Sequence, residues 1–188
     1  MDFVEKMNKL LDAVSDDLIK ENLDIPTADN SMDFKMIENY GKLSTGKNPI
    51  VFSMVDWSGN SRYDLRRWNA EITQPYKGIT FTEEEMIQLK KSLGRCNYTI
   101  SPKPIYIYEM GLAKGKIHGV LCTLSETETK ETVWRKQVCI VDWGYGLKYD
   151  FRRWSTDYKK CSKGISLGKS EMKELVLILK RMDCFSSR

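Results

Sequence analysis

Asp56-Trp57 returns as Asp142-Trp143, and Tyr63-Asp64-Leu65-Arg66-Arg67-Trp68 returns as Tyr149-Asp150-Phe151-Arg152-Arg153-Trp154. Lys77-Gly78-Ile79, Glu85-Met86, Leu89 and Leu93 return as Lys163-Gly164-Ile165, Glu171-Met172, Leu175 and Leu179. Every match has the same offset of 86, without a gap from Val55 to Leu93. Tryptophans in register in both copies make this the duplication of a small unit, not a solenoid. Upstream the register changes. Tyr40-Gly41-Lys42-Leu43-Ser44 best matches His118-Gly119-Val120-Leu121-Cys122 at an offset of 78, which predicts a second hairpin loop about eight residues longer, Thr123 to Lys136. Such an insertion is cheap, because loop-closure entropy grows only logarithmically with length.

Hydrophobic periodicity orders the elements. Met36–Thr45 and Ile50–Trp57 are β-prone runs around Gly46-Lys47-Asn48-Pro49 and predict a hairpin. Ser58-Gly59-Asn60 is a second turn, Arg62–Trp68 alternates as a strand, and Gly78–Phe81 is a short fourth strand. Thr82 with Glu85 forms a capping box before a helix with Met86, Ile87, Leu89 and Leu93 inward, stopped by Gly94. The second copy predicts strands near 105–124, 136–143, 148–154 and 164–167 and a helix over 169–183. There Gly168 replaces the capping threonine, with Ser170 as the alternative cap. The expected fold class is α+β, two tandem ββββα units. Their expected limits are 33–94 and 105–183, with 95–104 as linker. Residues 1–24 predict an extra amphipathic N-terminal helix with Phe3, Met7, Leu10, Leu11, Val14 and Leu18 on one face.

Charge and chemistry narrow the function. Residues 1–24 hold three lysines against seven acids, so the net of +4 for 188 residues splits into −4 there and +8 over the rest. A small basic body suits a polyanion. Met1 leads into Asp2 and Glu5, without a basic start and apolar run, and no stretch approaches the roughly 18 apolar residues of a membrane span. The cytoplasm is the expected compartment. Cys96, Cys122, Cys139, Cys161 and Cys184 have neither zinc spacing nor an even count, and His118 is the single histidine, so no metal, disulfide framework or cofactor is expected. Neither a nucleophile elbow nor a phosphate loop is present, and no enzyme is expected.

Tyr-Asp-[Leu/Phe]-Arg-Arg-Trp followed by Lys-Gly-Ile-[Thr/Ser]-[Phe/Leu] and an acidic helix resembles the positive cofactor four family of transcriptional coactivators, above all its short bacterial members. The likeness covers Met36–Leu93 and again His118–Met182. It implies a curved four-stranded antiparallel sheet with a C-terminal helix, dimerisation through that helix, and binding of single-stranded DNA with little sequence preference. With both copies on one chain, it implies an intramolecular pseudo-dimer with its helices packed together. Two departures are the longer second hairpin and Gly144-Tyr145-Gly146-Leu147 in place of Ser58-Gly59-Asn60-Ser61. The N-terminal helix is also foreign to the family unit.

Holding a single strand without reading it needs aromatic faces for bases and cations for phosphates. Trp57 and Trp143, ending a strand beside a turn, are the stacking candidates, and the resemblance also puts a stacking aromatic there. Trp68 and Trp154 share a strand face with Arg66 and Arg152 and are either stacking partners or core. Asp64 and Asp150 are expected to pair with neighbouring arginines, and Tyr63 and Tyr149 to be structural. Arg62 and Lys148, Arg67 and Arg153, and Lys77 and Lys163 are the phosphate candidates, with Lys159 and Lys160 extra in the second copy. The expected function is non-enzymatic binding of single-stranded DNA in transcription, replication or repair. The alternatives are RNA binding and a protein-interaction scaffold. The N-terminal helix is the candidate surface for a homodimer or a partner protein.

Overall fold

The computed structural model describes residues 34–95, 100–110 and 113–182. The expected N-terminal helix and its partner surface lie outside them. A four-stranded antiparallel sheet runs β1 (Phe34–Lys42), β2 (Ile50–Trp57), β3 (Asn60–Trp68) and β4 (Pro75–Phe81) in sequence order, followed by helix α1 (Glu83–Arg95). A five-stranded sheet follows as β5 (Tyr106–Met110), β6 (Ala113–Glu128), β7 (Val133–Asp142), β8 (Leu147–Ser155) and β9 (Ile165–Leu167), then helix α2 (Lys169–Arg181).

This corrects the expected fold class. Among the described residues the chain is mostly sheet with two short helices, and its sheets have four and five strands, so it is not a pair of ββββα units. The span 105–124, read as one strand, is a hairpin in which Met110 pairs with Ala113 and Tyr106 with Ile117. Its alternation continues through both arms, so period alone does not show the reversal.

The pairing also moves the upstream register. Lys35 faces Asp56 as Lys116 faces Asp142, and Lys42 faces Val51 as Thr123 faces Gln137. The first strand of the hairpin therefore recurs at an offset of 81, not 78, while the second keeps 86, and the insertion is five residues. Even the bulges repeat, at Met36/Glu38 and Asn39/Gly41 and again at Ile117/Gly119 and Val120/Cys122. Gly41 and Gly119 are not equivalent; Gly41 corresponds to Cys122. The inserted residues lengthen the paired strands, with Glu126 opposite Arg135 and Thr127 opposite Trp134, and do not form a longer loop.

One face of each sheet turns into a common core. Phe52, Leu65, Phe81 and Leu89 pack in it with Val138, Phe151, Leu167 and Leu175, and Phe81 meets Phe151 edge-on at 6.3 Å. The helices do not pack on each other along their length as expected. α1 lies chiefly against β6 of the other sheet, and α2 reaches across to β1 as well as to β8 and β9. At Gly41 a Cβ would stand 2.9 Å from Ile178 Cδ1, so the missing side chain lets α2 approach β1. Lys90 Nζ donates to the Met182 carbonyl at 3.2 Å and ties the two helices.

The capping box forms. Thr82 N donates to Glu85 Oε2 at 2.9 Å, and Glu85 N donates to Thr82 Oγ1 at 3.3 Å. In α2 the N-cap is Gly168, not Ser170, and its N–H reaches Glu171 Oε2 at 2.7 Å. Glu85 has a second task. Lys136, almost fully buried in β7, donates to Glu85 Oε2 at 2.6 Å and to the Thr80 carbonyl at 2.9 Å, and Ser125 donates to Glu85 Oε1 at 2.5 Å. The residue equivalent to Lys136 in the first sheet is Ile50, so this ionic staple exists once and joins α1 to the second sheet.

Removing one partner of a buried ion pair leaves a lone charge and costs about 3–5 kcal/mol. Lys136→Ala should show a loss of that size in urea denaturation, and adding Glu85→Gln should recover part of it. Burial alone would raise the Glu85 carboxyl, but hydrogen bonds from Lys136, Ser125 and the Thr82 backbone hold it below its ordinary 4.5. A carboxylate depressed in the folded state stabilises above its unfolded value, and that contribution fades as pH falls through the folded value. Denaturation followed from about pH 6 to 3 should therefore show a steeper acid-side loss in the wild type than in Glu85→Gln.

Candidate nucleic-acid interface

The face of each sheet turned away from the common core carries a second, smaller cluster. On the first sheet Val51, Val55 and Trp68 form it, with Phe34, Met36, Trp57 and Ile72 packed around them. On the second it is Tyr108, Ile117, Cys139, Val141, Trp154 and Tyr158, with Val120, Trp143 and Cys161. Strand alternation decides which candidates share this face. Even-numbered positions of β3 and β8 point outward, so Arg62, Arg66 and Trp68 lie with Trp57, and Lys148, Arg152 and Trp154 with Trp143. Arg67 and Arg153 lie on the opposite face. Lys77 lies at the register shift of β4 and Lys163 in the bend before β9. The twelve candidates therefore do not form one surface.

The heart of each outward face is an Asp–Arg–Trp arrangement. Asp64 and Asp150 are fully buried. Arg66 holds Asp64 with Nε at 2.5 Å and Nη2 at 2.6 Å, and its guanidinium lies 4.4 Å from the centre of the Trp57 ring. Arg152 holds Asp150 through Nε and through Nη2 at 2.7 Å, and lies 4.3 Å from the Trp143 ring and 5.5 Å from Trp154. The expected Asp–Arg pairing is thus present in both sheets. It also means that the charges of Arg66 and Arg152 are balanced by their aspartates within the fold. Burial raises Asp64 above its ordinary value against the opposing pull of Arg66.

Gly78 and Gly164 make the arrangement sterically possible. A Cβ at Gly78 would stand 2.1 Å from Arg66 Cβ, and one at Gly164 would stand 2.5 Å from Arg152 Cβ and 2.3 Å from the Phe151 carbonyl. The glycine of the Lys-Gly-Ile motif is where the arginine stem crosses the neighbouring strand.

Trp68 and Trp154 are fully buried, so they fill the outward cluster as core and offer no face to a base. Their Nε1 atoms find no hydrogen-bond partner. Trp57 and Trp143 are half-buried. Trp57 is flanked by Phe34 at 5.5 Å, and Trp143 by Tyr108 at 5.8 Å and Trp154 at 6.0 Å, with the indole planes 9° apart. Asp56 tightens the adjoining turn by accepting from Gly59 N at 2.6 Å, and Ser58 (φ 52°) and Gly59 (φ 87°) are both left-handed, as a two-residue hairpin turn requires. Asp142 accepts from Gly144 and Gly146 in the second copy. Arg62 and Arg153 are exposed, as are Lys159, Lys160 and Lys163, and Lys148 is half-buried.

The two copies differ in two ways. Asp150 also accepts from Trp143 Nε1 at 3.0 Å and from Ser166 Oγ at 2.6 Å. Asp64 lacks the serine, since Thr80 stands there, and the Trp57 indole steadies its charge from nearby without completing a hydrogen bond. The other difference is the source of the flanking ring. Phe34 on β1 sits directly opposite Trp57, but the equivalent residue opposite Trp143 is Gly115, and Tyr108 from β5 occupies the space. A Cβ at Gly115 would stand 2.8 Å from the Trp143 ring. Sequence reading missed Phe34 and Tyr108; a glycine in the strand opposite an aromatic was the available signal. Among the described residues, no group of three or more His, Cys, Asp or Glu side chains is arranged to hold a metal ion.

No family model matches the chain, and no solved structure matches it. It is similar to an uncharacterized protein of Treponema pallidum (strain Nichols), with 30% identity over 63 residues that make up 32% of this chain and 74% of that protein. The matched span is about the size of one repeated unit.

Alanine at Gly78 or Gly164 must displace the arginine stem or the strand beneath it. Overpacking of this kind costs about 1–3 kcal/mol. Thermal unfolding should register that loss for each variant, and indole fluorescence should shift to the red as Trp57 or Trp143 loses its guanidinium cover.

Proposed function

We propose, for a chain that belongs to the same family as the uncharacterized Treponema pallidum protein, that it binds single-stranded nucleic acid non-enzymatically and with little sequence preference. DNA is the preferred ligand and RNA the alternative. The observation that carries this reading is the repeated Asp–Arg–Trp arrangement, which holds one half-buried indole at a hairpin end of each sheet. The arginine rigidifies the indole from one side and leaves part of its surface for a base. Exposed Arg62 and half-buried Lys148 lie on the same faces as cations for the phosphates. Arg67 and Arg153, on the opposite faces, together with Lys77 and Lys163 raise the positive field that draws a strand in.

The process served is transcription, replication or repair, in the cytoplasm. No helix among the described residues is long and apolar enough to cross a membrane.

Fluorescence anisotropy with a labelled single strand, its RNA equivalent and its duplex, each across a salt series, tests the reading. Single-strand affinity should fall steeply with salt, with a slope near −0.7 per phosphate contact. Arg62→Gln with Lys148→Gln should flatten that slope by about 1.4. Equal affinity for duplex and single strand, or none for either, would reject it.

A further inference from the structure

The outward face of the five-stranded sheet extends beyond Trp143 onto an edge strand that has no counterpart among the described residues of the first sheet. Tyr106 pairs with Ile117 and Tyr108 with Gly115, so Tyr106 and Tyr108 share one face of β5. That is the face of the Trp143 cluster. Tyr106 stacks on Tyr158 with ring centroids 4.0 Å apart and planes 19° apart. Tyr158 lies 5.8 Å from Trp154, and Trp154 lies 6.0 Å from Trp143. Four rings thus run in unbroken contact along the face. The inner two, Tyr158 and Trp154, are buried, while Trp143 is half-buried and Tyr106 is 43% exposed.

Tyr106 rests on a fixed base. The Tyr158 hydroxyl donates to Gln137 Oε1 at 3.1 Å, and Tyr158 holds a left-handed φ of 57°. A bulky residue adopts that conformation only under constraint. The equivalent residue of the first sheet, Ile72, has the same φ of 57° but no ring to offer. Cations lie close to the backing ring of Tyr106 in the chain. Lys159 and Lys160 follow Tyr158 in the chain and are exposed, and Arg135 feels both tyrosines while its Nε holds Glu126 at 2.7 Å. Met110, on the same face of β5, is 63% exposed. A partly exposed aromatic ring backed by another ring, with lysines next to that backing ring in the chain, meets the two requirements for holding a base and its phosphate.

We infer that Tyr106 is a further base-stacking step, present only on the second sheet, which extends the bound single strand from Trp143 onto β5. The inference rests on the proposed function, and it makes the two sheets unequal in footprint. Bases are held there by ring overlap and not by hydrogen bonding to the tyrosine hydroxyl, so a phenylalanine serves equally well.

Two measurements on the full chain test it. The first is anisotropy with a labelled 20-nucleotide single strand for wild type, Tyr106→Ala and Tyr106→Phe. The phenylalanine variant should stay within about twofold of wild type, and the alanine variant should lose at least about fivefold, the lower end of what one base stack contributes. The second is photocrosslinking of wild type to the same strand carrying 5-iodouracil, with the crosslinked peptide mapped by mass spectrometry, which needs no variant to fold. A crosslink at Tyr106 supports the inference. If wild type binds with steep salt dependence while Tyr106→Ala is unchanged and no crosslink maps to β5, the inference is overturned and the proposed function stands. If wild type binds no single strand, both fall together.

Discussion

Neither sheet can bury its inner face alone. A unit of about 60 residues encloses little apolar volume, and here the two sheets solve the problem by sharing one core. The helices cross over to complete it, α1 against β6 and α2 against β1. Each sheet is thereby covered in part by a helix that follows the other. The buried ion pair of Lys136 with Glu85 lies on this seam and ties the start of α1 to β7. A charge pair in that position contributes little net stability, but it penalises any arrangement in which Glu85 would face an isoleucine instead.

With the inner faces committed to the core, chemistry is left to the outer ones. There the arginines of the repeated motif are internal parts, each clamped by a buried aspartate and laid on an indole. Their charge is balanced before any ligand arrives. What they contribute is stiffness, because a guanidinium held at two points fixes the ring it covers. The positive field available to a polyanion comes from Arg62, Arg153, Lys159, Lys160, Lys163 and their neighbours, which remain exposed.

Much of this was legible in the sequence. The offset of 86 holds through the pairing of β7 with β8 and of β8 with β9, which repeats that of β2 with β3 and of β3 with β4 residue for residue, because strand register is set locally by the turn and by the side of the sheet that is buried. The capping box and the Asp–Arg pairs are also local, two or three residues apart, and both formed. Four things were not legible. The offset of 78 matched a glycine to a glycine, whereas Gly41 is set by its contact with Ile178 on α2, which sequence comparison does not see. Trp68 and Trp154 read equally as core or platform, because alternation gives a face without saying what covers it. The strand β5 was hidden because its apolar alternation runs on into β6, and the crossing of the helices is a long-range outcome of packing.

The exchange of Phe34 for Tyr108 separates the two halves in the strand that carries the flanking ring. In the first sheet the ring beside the tryptophan belongs to β1, a nine-residue strand paired along most of its length. In the second it belongs to β5, five residues long; both strands are sheet edges. The ring beside Trp143 thus stands on a strand with fewer backbone pairings than the one that carries the ring beside Trp57.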